Sequence, residues 1–272
     1  MSSPTPSDGS FERVSAPGLV PDYDRLELGP KRTRYAVCIP VINEGERILR
    51  QLGRMQSLVD QIDIVIADGG STDGSMDPSR LKALGVRALL VKRGPGKLSS
   101  QMRMAFHHVL ERGYDGCVLM DGNDKDEPTE IERFTEALAA GWDFVQGSRF
   151  IAGGKAERNP LHRLVAIRAV HAPAISLASR FRYTDTTNGF RAYSRLFLSD
   201  PRVAPLRDVF AGYELHYYLS IRAARLGYRV KEVPVTRTYP ASGQIPTKIS
   251  FVRGNAAVLE ALGKACVGAF DP

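Results

Sequence analysis

Three cysteines in 272 residues, Cys38, Cys117 and Cys266, stand too far apart to suggest a zinc site or a disulfide framework. Two of them lie in apolar, strand-like runs, where a thiol packs as a small hydrophobe. No run approaches the roughly 18 consecutive apolar residues that cross a bilayer, since even residues 258–270 are interrupted by Glu260 and Lys264. The N-terminus lacks the apolar core of a secretory signal. His107, His108, His162, His171 and His216 show no metal-ligand spacing. The first crossover lacks the Gly-x-Gly-x-x-Gly dinucleotide fingerprint, and no Gly-Lys-Ser/Thr phosphate loop occurs. These absences argue against a disulfide-stapled secreted domain and a membrane span. They point to a cytoplasmic protein, at most peripheral at the inner face of a membrane.

What is present is a 43% hydrophobic chain, enough for a core, with 37 Lys and Arg against 30 Asp and Glu. The resulting net charge of +7 favours anionic ligands or an acidic surface without choosing between them. No nucleic-acid recognition module accompanies that charge. Residues 1–33 are rich in Pro, Ser, Gly and Asp with little periodicity, which predicts a flexible tail. From Tyr35 the pattern alternates. Short apolar runs at 35–40, 62–67, 88–91, 117–120 and 143–146 read as strands, and helical spacing fills 44–58, 78–84, 98–112 and 129–140. A basic helical stretch follows at 160–182, then a helix at 214–226 and a strand at 229–239. The alternation predicts an α/β fold, one domain with a mostly parallel sheet and helices on both faces.

The most informative run is Val118 to Pro128, where a buried-type strand ends abruptly in carboxylates, an amide and an ammonium. In open α/β sheets ligands sit where strands end at their carboxyl side, although one such cluster is also compatible with a solvated loop before a helix. After the first strand, Pro40-Val41-Ile42-Asn43-Glu44 places Asn43 to cap a helix and Glu44 in its first turn. The second strand ends in Asp68-Gly69-Gly70-Ser71-Thr72-Asp73-Gly74, a turn that lets backbone approach a ligand while Asp68 accepts hydrogen bonds. Lys92, Arg93 and Lys97 flank Gly94-Pro95-Gly96, a combination that suits a diphosphate, with Lys97 at a helix start. Tyr213, Tyr217 and Tyr218 read as packing beneath the site, with Tyr213 also able to stack on a sugar.

In this order the pieces resemble the family 2 glycosyltransferases of the GT-A (Rossmann-like) fold, especially the polyprenyl-phosphate, dolichyl-phosphate mannose synthase-like branch. The resemblance runs from about Ala36 to Lys248. It includes Gly147-Ser148-Arg149-Phe150, Gly153-Gly154 and Asp185-Thr186-Thr187-Asn188-Gly189-Phe190-Arg191 besides the segments above. It implies a domain over 34–250 with a C-terminal helical segment at 251–272. It also implies that a sugar moves from a nucleoside-diphosphate donor, with inversion, to a polyprenyl phosphate or a glycan or small-molecule acceptor. By resemblance Pro40, Asn43, Glu44, Asp68, Lys97, Asp121 and Gly122 hold the donor. Asp121 with Asn123 would take a divalent cation, Mg²⁺ or Mn²⁺. Arg149 would face the phosphates. For a hydroxyl acceptor Asp185 and Glu214 are the candidate bases, whereas an acceptor phosphate needs none. Arg163, Arg168, Arg237 and Lys248 are candidates for an acceptor or donor phosphate, the last in a loop at 239–249 expected to close over the donor.

The chain departs from the family pattern at Gly69, Asn123 and Lys125. A protonated lysine cannot ligate a hard cation, so Asp124 or Asp126 could remodel the cation site, or the lysine charge could partly replace it. The same departures motivate a second reading, a catalytically silent nucleotide-sugar-binding protein. A sugar-1-phosphate nucleotidyltransferase is disfavoured because its Gly-rich signature with Arg and Lys is missing.

Overall fold

The structure, a computed structural model, describes residues 10–240 and 253–272. In chain order, β1 (Glu12–Val14), β2 (Tyr23–Glu27) and β3 (Tyr35–Val41) lead into α1 (Glu46–Arg54), β4 (Asp63–Asp68), α2 (Pro78–Ala83), β5 (Val86–Lys92), α3 (Leu98–Glu111) and β6 (Gly116–Leu119). The second half holds α4 (Ile131–Ala139), β7 (Phe144–Ser148), β8 (Lys155–Glu157), α5 (Leu161–Ala166), α6 (Ala172–Ser179), β9 (Arg191–Ser194) and α7 (Arg195–Ser199). It closes with α8 (Glu214–Arg225), β10 (Val230–Pro234), β11 (Thr236–Thr238) and α9 (Arg253–Cys266).

Period-two alternation inside apolar strands divides the core into two layers. Ala36, Cys38, Val65, Ala67, Cys117 and Leu119 face one layer, packed by α3, α8 and α9, while Val37, Ile39, Ile64, Ile66, Val118 and Met120 face the other, packed by α1 and α4. Helices therefore cover both faces. The strand order is β1-β2-β5-β4-β3-β6-β9-β7-β10, with β5, β4, β3 and β6 mutually parallel and β7 parallel to β10. Strand β9 is inserted antiparallel between β6 and β7, and β8 pairs with β11 in a separate two-stranded ribbon.

Residues 10–33 correct the expectation of a tail. Strand β2 extends the sheet antiparallel to β5, with Tyr23 opposite Lys92 and fully buried, and β1 pairs antiparallel with β2. Charged side chains of these strands are paired. Arg25 bonds Glu12 at 2.6 Å and also Glu111, and Asp24 accepts from Arg93 at 2.6 Å.

On α3, His108 is 1% exposed and its Nδ1 has no partner. Burial pushes its imidazole pKa down to about 3. The unfolded chain thus takes up a proton below about pH 6.5 that the folded chain refuses, so stability is complete above that pH and falls on acidification by about 1.4 kcal/mol per pH unit. Urea midpoints between pH 7 and 4.5 should slide accordingly, and His108→Leu should flatten part of that slope; an unchanged slope would contradict the assignment.

Candidate active site

Strands β3, β4, β5 and β6 end at one edge, and the order reverses at β3, so a crevice opens between the loops after β3 and β6. Gly122 lies at its floor. A Cβ there would meet Val41 Cγ2 at 2.8 Å and the carbonyl oxygen of buried Pro40 at 3.2 Å, so only glycine lets the two loops close together. Asn43 adopts a left-handed conformation (φ 48°), accepts from the Thr72 N–H at 2.8 Å and donates its own N–H to Ser71 Oγ at 2.9 Å. It ties two loops together and does not cap α1, whose N-cap is Gly45. Glu44 accepts from Arg47. The buried Asp68 carboxylate accepts from the N–H groups of Gly70 and Ser71 and from Ser71 Oγ. Gln101 Nε2 donates to the carbonyls of Val41 and Ala67 at 2.7 and 2.8 Å, pinning the ends of β3 and β4. A side chain at Gly69 would press on Gln101 Nε2 at 3.1 Å, a steric reason for glycine there.

The three cations after β5 separate. Lys92 donates to the Gly94 carbonyl beside Asp68, and burial lowers its pKa. Arg93 is turned to Asp24, away from the crevice. Lys97 stands at the start of α3, its ammonium 5.8 Å from the Tyr213 ring centroid.

In the loop after β6, the Arg237 guanidinium bridges two carboxylates, donating to Asp121 at 2.8 Å and to Asp126 at 2.5 Å. Burial works against the Asp121 anion, but the Arg237 charge outweighs it and holds the carboxyl below its usual range. Asp126, fully buried, is pushed up by burial to about 6. Asp124 is turned outward, accepting from Arg50 and Arg54 on α1. It is therefore not a ligand candidate. Asn123 Nδ2 faces Asp121 at 3.4 Å, and its Oδ1 is buried without a partner. Among the described residues no group of three or more His, Cys, Asp or Glu is placed to hold a metal. The hard oxygens of Asp121 and the unpartnered Asn123 Oδ1 nonetheless fit a Mg²⁺ or Mn²⁺ ion.

Asp185 corrects a second expectation. It is fully buried and gripped by Arg149, whose Nε and Nη2 donate at 2.6 and 2.9 Å. Burial opposes its charge, yet Arg149 holds its pKa below the usual carboxylate range. A base must reach the acceptor in order to take its proton, and this carboxylate instead positions Arg149. Glu214 likewise accepts from the Ala211 and Gly212 N–H groups at 2.7 and 2.8 Å, shaping the turn before α8.

Arg149, Asp121, Arg163 and Arg237 share a cavity of about 520 Å³ with Thr186, Thr187, Arg191, His216, Tyr213, Tyr217 and Tyr239. Its lining also includes the apolar side chains of Leu98, Ala166, Ile167, Val258 and Leu259. Arg191, buried and donating to the carbonyls of Thr186, Asn188 and His216, clamps the 186–188 loop against α8. Tyr239 sits among cations, with Lys125 5.0 Å and Arg163 5.7 Å from its ring centroid. Burial works to raise its phenol, but Arg237, Arg149 and Arg163 leave it below the ordinary value. Tyr218 packs away from this space, bonded to the Val203 carbonyl. Arg168 is exposed over the Phe150 ring. Residues 241–249 of the expected closing loop, Lys248 among them, lie outside the described residues.

Gly189 backs Asp121 closely, for a Cβ there would stand 2.6 Å from Asp121 Oδ1. Gly189→Ala should therefore displace the carboxylate and lower turnover by about tenfold or more, in keeping with the cost of about 1 Å of misplacement, with little change in melting temperature. Equal turnover would show that Asp121 need not hold this position.

Gln101, Arg191 and the partner of Asp121 escaped the sequence reading. One signal was available for Arg237. Val233, Val235, Arg237 and Tyr239 share a buried period-two face, where a charge needs a partner.

A strand-edge crevice bearing carboxylates beside a cation-lined cavity defines a site suited to an anionic substrate. A family model described as glycosyl transferase family 2 matches residues 36–201, and the chain belongs to that family. It is a glycosyltransferase. It is 33% identical to an undecaprenyl-phosphate mannosyltransferase of Micrococcus luteus over 75% of this chain and 83% of that protein. To a polyprenol monophosphomannose synthase of Mycolicibacterium smegmatis it is 30% identical, over 75% of this chain and 77% of that one. Among solved structures, glucosyl-3-phosphoglycerate synthase from Mycobacterium tuberculosis, in complex with Mn²⁺, UDP-glucose and phosphoglyceric acid, superposes with a TM-score of 0.61 at 20% identity. That match covers 87% of this chain and 80% of the other and supports the GT-A fold. No described helix is long and apolar enough to cross a membrane.

Proposed function

We propose that the protein transfers a hexosyl group, with inversion, from a nucleoside-diphosphate sugar to a polyprenyl phosphate met at a membrane surface. The observation that carries this reading is the cavity itself, whose lining combines arginines with apolar side chains. A phosphate and a hydrocarbon chain are the two halves of such an acceptor. The relatives' names, which specify undecaprenyl-phosphate and polyprenol monophosphate chemistry, support the same class.

The donor lies along the crevice, its nucleoside against Asn43, Glu44 and Asp68 and its diphosphate toward Asp121. An acceptor phosphate oxygen, already anionic, attacks the anomeric carbon as the bond to the diphosphate breaks. The engagement of Asp185 and Glu214 in structural hydrogen bonds agrees with a nucleophile that needs no base. Arg149 and Arg163 orient the acceptor phosphate and offset its charge. A divalent cation, held by Asp121 and Asn123, supplies charge neutralisation at the departing diphosphate when bound.

The test is transfer from radiolabelled GDP- and UDP-hexoses to a short-chain, water-soluble prenyl phosphate, with free prenol and no acceptor as parallel arms. Label should reach the prenyl phosphate alone. Equal labelling of prenol would overturn the phosphate nucleophile, and donor binding without any transfer would favour the silent nucleotide-sugar-binding protein.

A further inference from the structure

The helical segment from α5 to α6 presents its exposed side in an unusual way. Leu161, Val165, Ala169, Pro173 and Leu177 recur every fourth residue, and all five are exposed, Leu161 by 73% and Leu177 by 84%. A surface helix ordinarily turns polar residues outward and buries its apolar stripe. Here the inward side is filled as well, by Ile167, Ala172 and Ile175. The segment is thus apolar on two sides. A π-helical turn at Ile167–His171 precedes Pro173, which has no N–H to give to a regular turn.

The charge around this row is of one sign. Residues 158–184 contain Arg158, Arg163, Arg168, Arg180 and Arg182 and not one Asp or Glu. Arg168, Arg180 and Arg182 are exposed, flanking the apolar row. The same helical segment also reaches the cavity, because Ala166 and Ile167 line it together with Leu259 of α9, itself half-exposed. An exposed apolar row with basic flanks and no acid is the complement of an anionic lipid surface, which accepts the Leu and Val side chains below the headgroups and the guanidinium groups among them.

We propose that this face of α5 and α6 docks the protein on an anionic bilayer, with the cavity mouth against the lipid. The inference deepens the acceptor reading above, since it brings a helical segment that lines the cavity to the surface where a prenyl chain is dissolved, and it rests on that reading for its purpose but not for its measurement.

The full chain would be floated with vesicles of phosphatidylcholine alone and of phosphatidylcholine mixed with phosphatidylglycerol, as wild type, as Leu161→Glu/Leu177→Glu, and as Leu196→Glu. Leu196 is an exposed leucine on α7, outside this face. The wild type and Leu196→Glu should bind the anionic vesicles, more weakly as salt rises. The double variant should lose binding by about tenfold or more, as expected for removing two buried leucine contacts, while nucleotide-sugar binding by calorimetry stays unchanged. Equal flotation of the double variant, no preference for anionic vesicles, or a wild-type dimer that buries this face in solution would each overturn the docking. Transfer to the water-soluble prenyl phosphate separates the two readings. Turnover without flotation rejects only the docking face, and flotation without turnover rejects only the acceptor.

Discussion

Arg149→Ala should lower the unfolding free energy by about 3–5 kcal/mol, the usual cost of stranding one member of a buried ion pair. Its partner Asp185 is fully buried and accepts from two guanidinium nitrogens, and among the described residues Arg149 is its one ion-pair partner. Turnover should fall as well, by about a hundredfold to a thousandfold, if the guanidinium faces a phosphate in the transition state. The two losses can be separated. Arg149→Met with Asp185→Leu removes both charges at similar volume and should regain most of the stability, since apolar replacements of buried pairs are often neutral or stabilising. Activity should not return with it. Urea denaturation and initial rates on the three proteins check this, and a double variant as active as wild type would show that the pair is structural alone.

The second large effect is expected at Arg237. Its guanidinium bridges Asp121 and Asp126, and it is a positive charge at the carboxylate proposed above to hold a cation. Arg237→Ala leaves two adjacent carboxylates without their shared counter-charge, and about 3–5 kcal/mol of stability should go with it. Mn²⁺ should then become a strong stabiliser, worth about 2.7 kcal/mol at a hundred times its dissociation constant, whereas the wild type responds less because Arg237 competes for Asp121. Thermal melts with and without Mn²⁺ on both proteins decide the matter. Equal shifts would mean that Arg237 and the cation do not compete, and adding Asp121→Asn to the variant should abolish the extra response.

How much of this was legible in the sequence differs by element. The strands from β3 to β7 were readable because buried parallel strands are short apolar runs, and Tyr35–Val41 and Asp63–Asp68 announce themselves by composition. Strands β1 and β2 were not, because ERV and YDRLE carry charges whose partners, among them Arg93 and Glu111, lie far along the chain. The same limit applies at the site. Motif order singled out Asp121, Arg149 and Asp185, but whether a carboxylate faces solvent, a ligand or an arginine is decided by tertiary placement. Asp185, one of two candidate bases for a hydroxyl acceptor, is buried in an ion pair with Arg149. Asn43, a plausible helix cap by position, spends its side chain on Thr72 because a left-handed backbone turns it toward the neighbouring loop.

The two N-terminal strands carry a consequence for how the protein behaves outside its intact form. Strand β2 covers most of β5, from Tyr23 opposite Lys92 to Glu27 opposite Ala88. A chain begun at Tyr35 would leave that stretch of β5, Ala88 to Lys92, as a bare row of amides and carbonyls that includes Leu89 and Leu90. Such an edge is a template for pairing with another molecule. Trimming residues that look dispensable by composition would therefore leave a catalyst that aggregates edge to edge, with every residue of its active site still present.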